Sequence, residues 1–364
     1  MTKIPVRLGL QQRVLPEYRA DFFDALADSS SEGLSVFAGQ PRKEEAIATF
    51  AELRLAKFVS ANNLHLLQGG FYTVVQTNFT SWLEEWQPGV LIIEANPRYL
   101  STPQAIRWMH AHRRPVIGWG LGAPKSRGLE SALRKRFLHS LDAVIAYSKI
   151  GADQYIEHGI RPERVFIAPN AVSFRPCQPC LARPHKFTND QPTLLYVGRL
   201  QTRKRLDMLI NACAALPSSI QPRLILVGEG PDRSRLEQLA AQVYPKTEFT
   251  GAKHGSELDP YYEAADLFVL PGTGGLAIQQ AMAHALPVLV GEADGTQTEL
   301  VREENGWILP EASIEALTSM IQDALQDLPR LRRKGEASFR IVVEEVNVER
   351  MVAVFVEAVN TVLS

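Results

Sequence analysis

Apolar and polar positions follow two rhythms along this chain, and the rhythms trade places repeatedly. Short, largely apolar runs at 6–10, 34–37, 64–67, 90–93, 116–118, 143–146 and 165–167 predict buried strands. Between most of them apolar residues recur at helical spacing, over 19–27, 42–59, 75–86, 101–113, 129–140 and 148–158. A proline-rich stretch of little periodicity, Phe174 to Pro192, interrupts the pattern as a linker would. The alternation then restarts with strand 193–197, helix 203–215, strand 223–227, helix 232–243, a short strand near Glu248, helix 256–265, strand 267–270, helix 275–284 and strand 287–290, followed by helices to the C-terminus. Such alternation predicts an α/β protein with parallel sheets covered on both faces. Two doubly wound, Rossmann-like domains are expected, at 1–175 and 193–345, joined by a linker at 176–192. Ligands of such domains bind at the carboxyl ends of the strands, and the cleft between the two is the default site.

A length of 364 residues agrees with two cores rather than one. Three cysteines are too few for a disulfide framework, and no charged start leads into an apolar leader, so a cytoplasmic protein is expected. No run reaches the roughly eighteen apolar residues of a spanning helix, although attachment to a membrane face stays open. Cys177 and Cys180 form a CxxC without a second pair of ligands, so no metal site is expected there. The net charge of −1 conceals a split: residues 1–172 hold 20 Lys and Arg against 16 Asp and Glu, and the remainder is acidic. From Arg98 to His139 there are nine Lys and Arg and one acid, Glu130.

Chemistry concentrates in Leu194 to Ile210, LLYVGRLQTRKRLDMLI. A buried strand ends at Gly198, whose freedom permits a tight turn, and Arg199 and Lys204 lie between that turn and a helix start. Fixed cations beside free helix-terminal N–H groups suit an anion such as a diphosphate. The segment VGEGP at 227–231 repeats the strand, glycine turn and helix start, with Gly228, Gly230 and Pro231 consistent with ordinary turn chemistry.

These segments, together with FTGAKHGSELDPYYEAADLFVLPG, GGLAIQQAMAHALPVLV and TELVREENGWIL, resemble in order and spacing the nucleotide-sugar domain of retaining glycosyltransferases of the two-Rossmann-domain (GT-B) type, family 4. The likeness is good over about 140–310, and earlier segments share architecture with little sequence. It implies transfer of a hexosyl group from a UDP- or GDP-sugar to an acceptor hydroxyl, with retention and without metal or other cofactor. It further implies that a C-terminal helix at 346–364 crosses back to the first domain. Arg199 and Lys204 fall on the family's diphosphate-binding pair. Ala252, Lys253 and His254 fall where backbone groups meet the base. Family members carry two glutamates, near the donor sugar and the ribose, at positions that are Gly272 and Gln280 here. The loss of both puts the sugar in question more than the nucleotide. Gln280 keeps an acceptor for a ribose hydroxyl, while Thr273, Gly274, Gly275 and Leu276 form a turn whose N–H groups could reach the sugar and distal phosphate.

In the first domain, Glu94, Asn96 and Arg98 follow one buried strand and Trp119, Gly120 and Gly122 follow the next. With Arg13, Tyr18 and Arg19 on the glycine-free first loop they are candidate acceptor contacts, although helix capping and a structural ion pair would use the same residue types. Were the reaction inverting, Glu17, Asp21 and Glu94 would be the candidate bases. No catalytic histidine is assigned, since Leu121 stands about where the family has one. Arg134, Lys135, Arg136 and His139 share a helix with Leu129, Leu133, Phe137 and Leu138, near Arg107, Arg113, Arg114, Lys125 and Arg127. That face suits either anionic lipid, which would make the protein peripheral on the inner face of the membrane, or plain solvation. Nucleic acid is not expected, because aromatic interleaving is sparse. The expected acceptor is a saccharide, a lipid-linked sugar or a small molecule, in polysaccharide, glycolipid or glycoconjugate synthesis. Two rivals remain: an enzyme resembling UDP-N-acetylglucosamine 2-epimerase, and an inactive nucleotide-binding partner.

Overall fold

The computed structural model describes every residue except 1, 2, 43, 44, 46–48, 50, 51, 68, 70, 71, 125–127 and 292–295, and omits the side chains of Leu129 and Asn189. Two compact units result, Met1–Val172 with Val348–Ser364, and Ser173–Asn347.

The first unit runs β1 (Leu8–Val14), α1 (Ala20–Asp28), β2 (Leu34–Gly39), β3 (Lys57–Ala61), β4 (Asn63–Leu66), β5 (Thr73–Gln76), α2 (Phe79–Trp86), β6 (Val90–Glu94), α3 (Thr102–Ala111), β7 (Val116–Gly120), α4 (Gly128–Leu138), β8 (Ala143–Ala146), α5 (Lys149–Glu157) and β9 (Val165–Ile167). Its parallel sheet has the order β3-β2-β1-β6-β7-β8-β9. Helices cover both faces of the central strands, which explains why Val90–Ile93 and Ala143–Ala146 are apolar without alternation and wholly buried. β1 pairs with β2 on one side and β6 on the other, so the winding direction reverses between β1 and β6. Loops part at such a point and leave a crevice beyond the strand ends.

The second unit runs β10 (Thr193–Val197), α6 (Leu206–Ala215), β11 (Arg223–Val227), α7 (Arg233–Val243), β12 (Thr247–Gly251), α8 (Asp259–Ala264), β13 (Leu267–Leu270), α9 (Leu276–Ala283), β14 (Val288–Gly291), α10 (Thr296–Leu300), β15 (Gly306–Leu309), α11 (Ile314–Gln326) and α12 (Leu328–Glu344). Its sheet order, β12-β11-β10-β13-β14-β15, is that of a dinucleotide-binding fold, with the reversal between β10 and β13. The last helix, α13 (Val348–Leu363), belongs to the first unit, where Phe355 packs edge-on against Phe22 and Trp119 with ring centroids 5.0 Å apart in each case.

Several expectations need correction. Residues 57–59, read as the end of a helix, lie in β3, because the β2 edge offers a ladder that local periodicity does not reveal. Much of the rest of 42–59 lies outside the described residues. The run at 64–67 contributes to β4, which pairs antiparallel with β5 as a separate hairpin, so the helix read from 75 starts at Phe79. Gly306–Leu309, read within a helical tail, is the edge strand β15. The helix read from 203 starts at Leu206. Thr202–Lys204 makes a 3-10 turn before it and Arg205 takes a left-handed φ of 54°.

The stretch 176–192 is fastened to the second unit rather than free. The Arg183 guanidinium donates to five carbonyls, those of Tyr262 (2.9 Å), Glu263 (3.3 Å), His284 (2.7 Å), Ala285 (3.0 Å) and Ala265. These are the orphan acceptors at the C-terminal ends of α8 and α9, where a cation also complements the helix dipoles. Nearby, the buried Arg332 donates to the Pro184 carbonyl at 2.9 Å and pairs with Asp266 at 2.7 Å. Cys177 and Cys180 in this stretch are free thiols.

Candidate functional site

At the β10/β13 reversal, the turn after β10 and the loop after β13 are laced together. Lys204 is buried and its Nζ donates to the Thr273 carbonyl. The Thr273 N–H donates to the Arg203 carbonyl at 3.1 Å, and Arg203 Nη1 donates to Thr273 Oγ1 at 3.2 Å. Gly272 packs so tightly under this turn that a Cβ would overlap the Arg203 carbonyl oxygen. From the far side, Gln297 Nε2 holds the Gly272 carbonyl at 2.9 Å. Four cationic residues, Arg199, Arg203, Lys204 and Arg205, thus occupy one short segment, and two of them, Arg203 and Lys204, grip the glycine-rich loop. Arg199 is half-buried, and its carbonyl accepts from the Tyr196 hydroxyl at 3.0 Å.

Gly228 and Gly230 have a supporting task. Gly228 adopts a φ of +147°, closed to most side chains, and a Cβ there would overlap the Gly198 carbonyl oxygen; Gly230 abuts Leu200 in the same way. Hydrogen bonds from Gly198 N to Val227 O (2.9 Å) and Leu200 N to Glu229 O (2.8 Å) bind the two turns into one backbone layer. Pro231 precedes α7 by two residues rather than occupying its first position. Gly228 N continues the layer to Gly251 O at 2.9 Å, after which come the exposed Ala252 and His254 and the half-buried Lys253. His254 N donates to Glu257 Oε2 at 3.2 Å, so part of this loop's polarity serves as a cap. Leu276 opens α9, with Gly275 as its N-cap, and one turn on, Gln280 Oε1 accepts from the Tyr262 hydroxyl at 3.3 Å. Tyr262 is itself stacked on His284, centroids 4.9 Å apart.

Sequence reasoning missed Arg203, Gln279 and Gln297. Gln279 is fully buried, accepting from Ser173 N at 3.0 Å and donating to Val346 O at 3.1 Å, so α9 is tied to both ends of the second unit's chain. A buried glutamine on an otherwise apolar helix face was the available signal.

In the first unit the reversal lies between β1 and β6. Register slips between Gln12 and Val14 and frees Arg13 N, which donates to Glu94 Oε1 at 2.9 Å. Glu94 N in turn donates to the Gln11 side chain at 3.1 Å. Burial pushes the Glu94 carboxyl above the usual range, against the opposing pull of Tyr99, the Arg13 N–H and the charges of Arg13 and Arg19. Arg13 is neutralised by Glu45 at 2.8 Å. Asn96 is half-buried, caps Arg98 N at 3.1 Å and leaves the Arg98 side chain exposed. Trp119 lies in the core against Phe22 and Phe355, so its indole is a wall of the site rather than an open contact. Gly120 is half-buried beside it. Tyr18 is exposed, whereas Arg19 is buried with its guanidinium 4.5 Å from the Trp119 ring centroid. Glu17 is exposed, and Asp21 is held by Arg54 at 2.9 Å.

The basic helix α4 is partly spoken for. Arg134 pairs with Glu130 at 2.7 Å and donates to the Pro124 carbonyl, so it does not face solvent as expected. Lys135, Arg136 and His139 are exposed, and Lys125 and Arg127 lie outside the described residues.

Residues 181–340 match the model of the family Glycosyl transferases group 1. A GDP-mannose-dependent alpha-mannosyltransferase of Mycobacterium tuberculosis is 31% identical over 205 residues, 55% of this chain and 51% of that protein. A GDP-mannose-dependent alpha-(1-6)-phosphatidylinositol monomannoside mannosyltransferase of the same organism is 22% identical over 92% of this chain and 89% of its own. The match thus spans about half the length of the first relative. Among solved structures, Anabaena HepE in complex with UDP superposes with a TM-score of 0.70 at 16% identity, covering 98% of this chain and 99% of that one, a likeness of fold.

Proposed function

From the match of residues 181–340 to the model of the family Glycosyl transferases group 1, we infer that the chain moves a hexosyl group from a nucleotide sugar to an acceptor hydroxyl, with retention and without a metal. The observation that carries this reading is the Arg199–Lys204 segment locked onto Thr273 at the reversal of a dinucleotide-binding sheet. Cleaving the sugar–phosphate bond leaves added negative charge on the diphosphate. Fixed cations in a low-dielectric setting stabilise that charge as it grows, without reorganising. Because two of the relatives are named for GDP-mannose, that donor is the first to test.

The test is donor breakdown with GDP-mannose and UDP-glucose, with and without EDTA, followed by NMR. Release of the α-anomer first, unaffected by EDTA, is the expected result. Initial β-anomer would remove retention, and loss of turnover in EDTA would remove metal independence. An epimeric sugar would favour the epimerase, and binding without turnover the inactive partner.

An anionic membrane surface is proposed as a partner through Lys135, Arg136 and His139, with Arg134 contributing little. Lys135→Ala with Arg136→Ala should lower the affinity for phosphatidylserine vesicles in co-sedimentation by up to about thirtyfold, each cation near such a surface being worth about 1 kcal/mol. Equal sedimentation of the two proteins would end this proposal.

A further inference from the structure

We propose that Arg19 binds an anionic group, a phosphate or carboxylate, carried by the acceptor beside the hydroxyl that receives the sugar. The inference rests on the transferase reading and names the acceptor's chemical class. Arg19 is 7% exposed, and among the described residues no carboxylate lies within ion-pair distance of it. Its guanidinium faces rings instead, 4.5 Å from the centroid of Trp119 and 5.7 Å from those of Tyr18 and Tyr147, and it donates one hydrogen bond to the Tyr147 hydroxyl at 3.1 Å.

A cation withdrawn from water without a counter-charge is costly, and attraction to ring faces offsets only part of the cost. Two other arginines show what this chain does elsewhere. Arg13, near the end of β1 rather than on the loop first expected, is paired with Glu45 at 2.8 Å, and the equally buried Arg332 is paired with Asp266 at 2.7 Å. Glu94, whose charge Arg19 feels, is already engaged by Arg13 N and Tyr99. Burial raises the Tyr147 hydroxyl to about 12, so it keeps a proton to donate while accepting from Arg19. Arg19 and Tyr147 therefore offer an anion convergent donors at the strand ends where the acceptor is expected.

Calorimetry would compare matched pairs, glucose 6-phosphate with glucose and inositol 1-phosphate with inositol, in the Arg199→Ala/Lys204→Ala background so that the second unit's cations cannot hold the phosphate. At least one phosphorylated member should bind about tenfold or more tightly than its neutral parent, Arg19→Gln should remove that difference, and Arg19→Lys should retain part of it. The proposal is overturned if no phosphorylated member binds, if each pair binds alike, or if Arg19→Gln binds unchanged. Should Arg19→Gln fail to fold, Arg19→Lys decides alone, since full retention of affinity for neutral and charged members alike would refute it. Wild-type donor breakdown is read separately: breakdown without anion preference sinks this proposal alone, and anion binding without breakdown sinks only the transferase reading.

Discussion

Replacing Arg199 and Lys204 together by alanine abolishes nucleotide-sugar turnover and weakens nucleotide binding by about 3–6 kcal/mol, taking charge-assisted hydrogen bonds at roughly 1.5–3 kcal/mol each. The loss exceeds one hundredfold in affinity, on a scale where about 1.4 kcal/mol is tenfold. The two residues differ in what else they do. Lys204 is buried and bonded to the Thr273 carbonyl, so Lys204→Ala alone also loosens the glycine-rich loop and lowers stability. Arg199→Ala is the cleaner probe of the charge. Calorimetry with UDP and GDP decides the matter: unchanged affinity for both nucleotides in the folded double variant would remove the diphosphate assignment.

The second large effect is on stability. Arg183→Met strips donors from five carbonyls at the ends of α8 and α9 and leaves the 176–192 stretch held by weaker ties such as that of Arg332 to the Pro184 carbonyl. Water can reach some of the freed carbonyls, so the expected destabilisation is about 3 kcal/mol rather than a sum over five charge-assisted bonds. A urea titration of the variant measures it. Arg183→Lys should recover only part, because an ammonium carries three donors and cannot span both helix ends in one plane. A shift under about 0.5 kcal/mol for Arg183→Met, the range of a surface substitution, would mean that the contacts are incidental.

Much of this molecule can be read from its residues, and the exceptions share a cause. Runs such as Leu194–Val197 and Val90–Ile93 announce central strands because both of their faces are covered. β3, an edge strand paired only with β2, is largely uncovered, so KFVSA lacks the apolar run that announces a central strand, and β15 is an edge strand of four residues. The β4–β5 hairpin was hidden because its antiparallel partner lies outside the main sheet. At the β10/β13 reversal, the glycine turn and the cationic segment after it were legible from spacing. The grip of Arg203 and Lys204 on Thr273 was not, since it depends on two loops some seventy positions apart meeting at the sheet's reversal. Arg183 escaped notice for the opposite reason: prolines on either side made its neighbourhood resemble a tether.

The cramped seat of Gly272 bears on how this lineage can change. With no space for a β-carbon above the Arg203 carbonyl, an acidic residue cannot enter position 272 by a single codon change and leave the cationic bend intact. Placing a carboxylate there requires the 201–205 segment to be remodelled in the same step. The glycine and the bend are sterically one unit, so neither can be redesigned without the other.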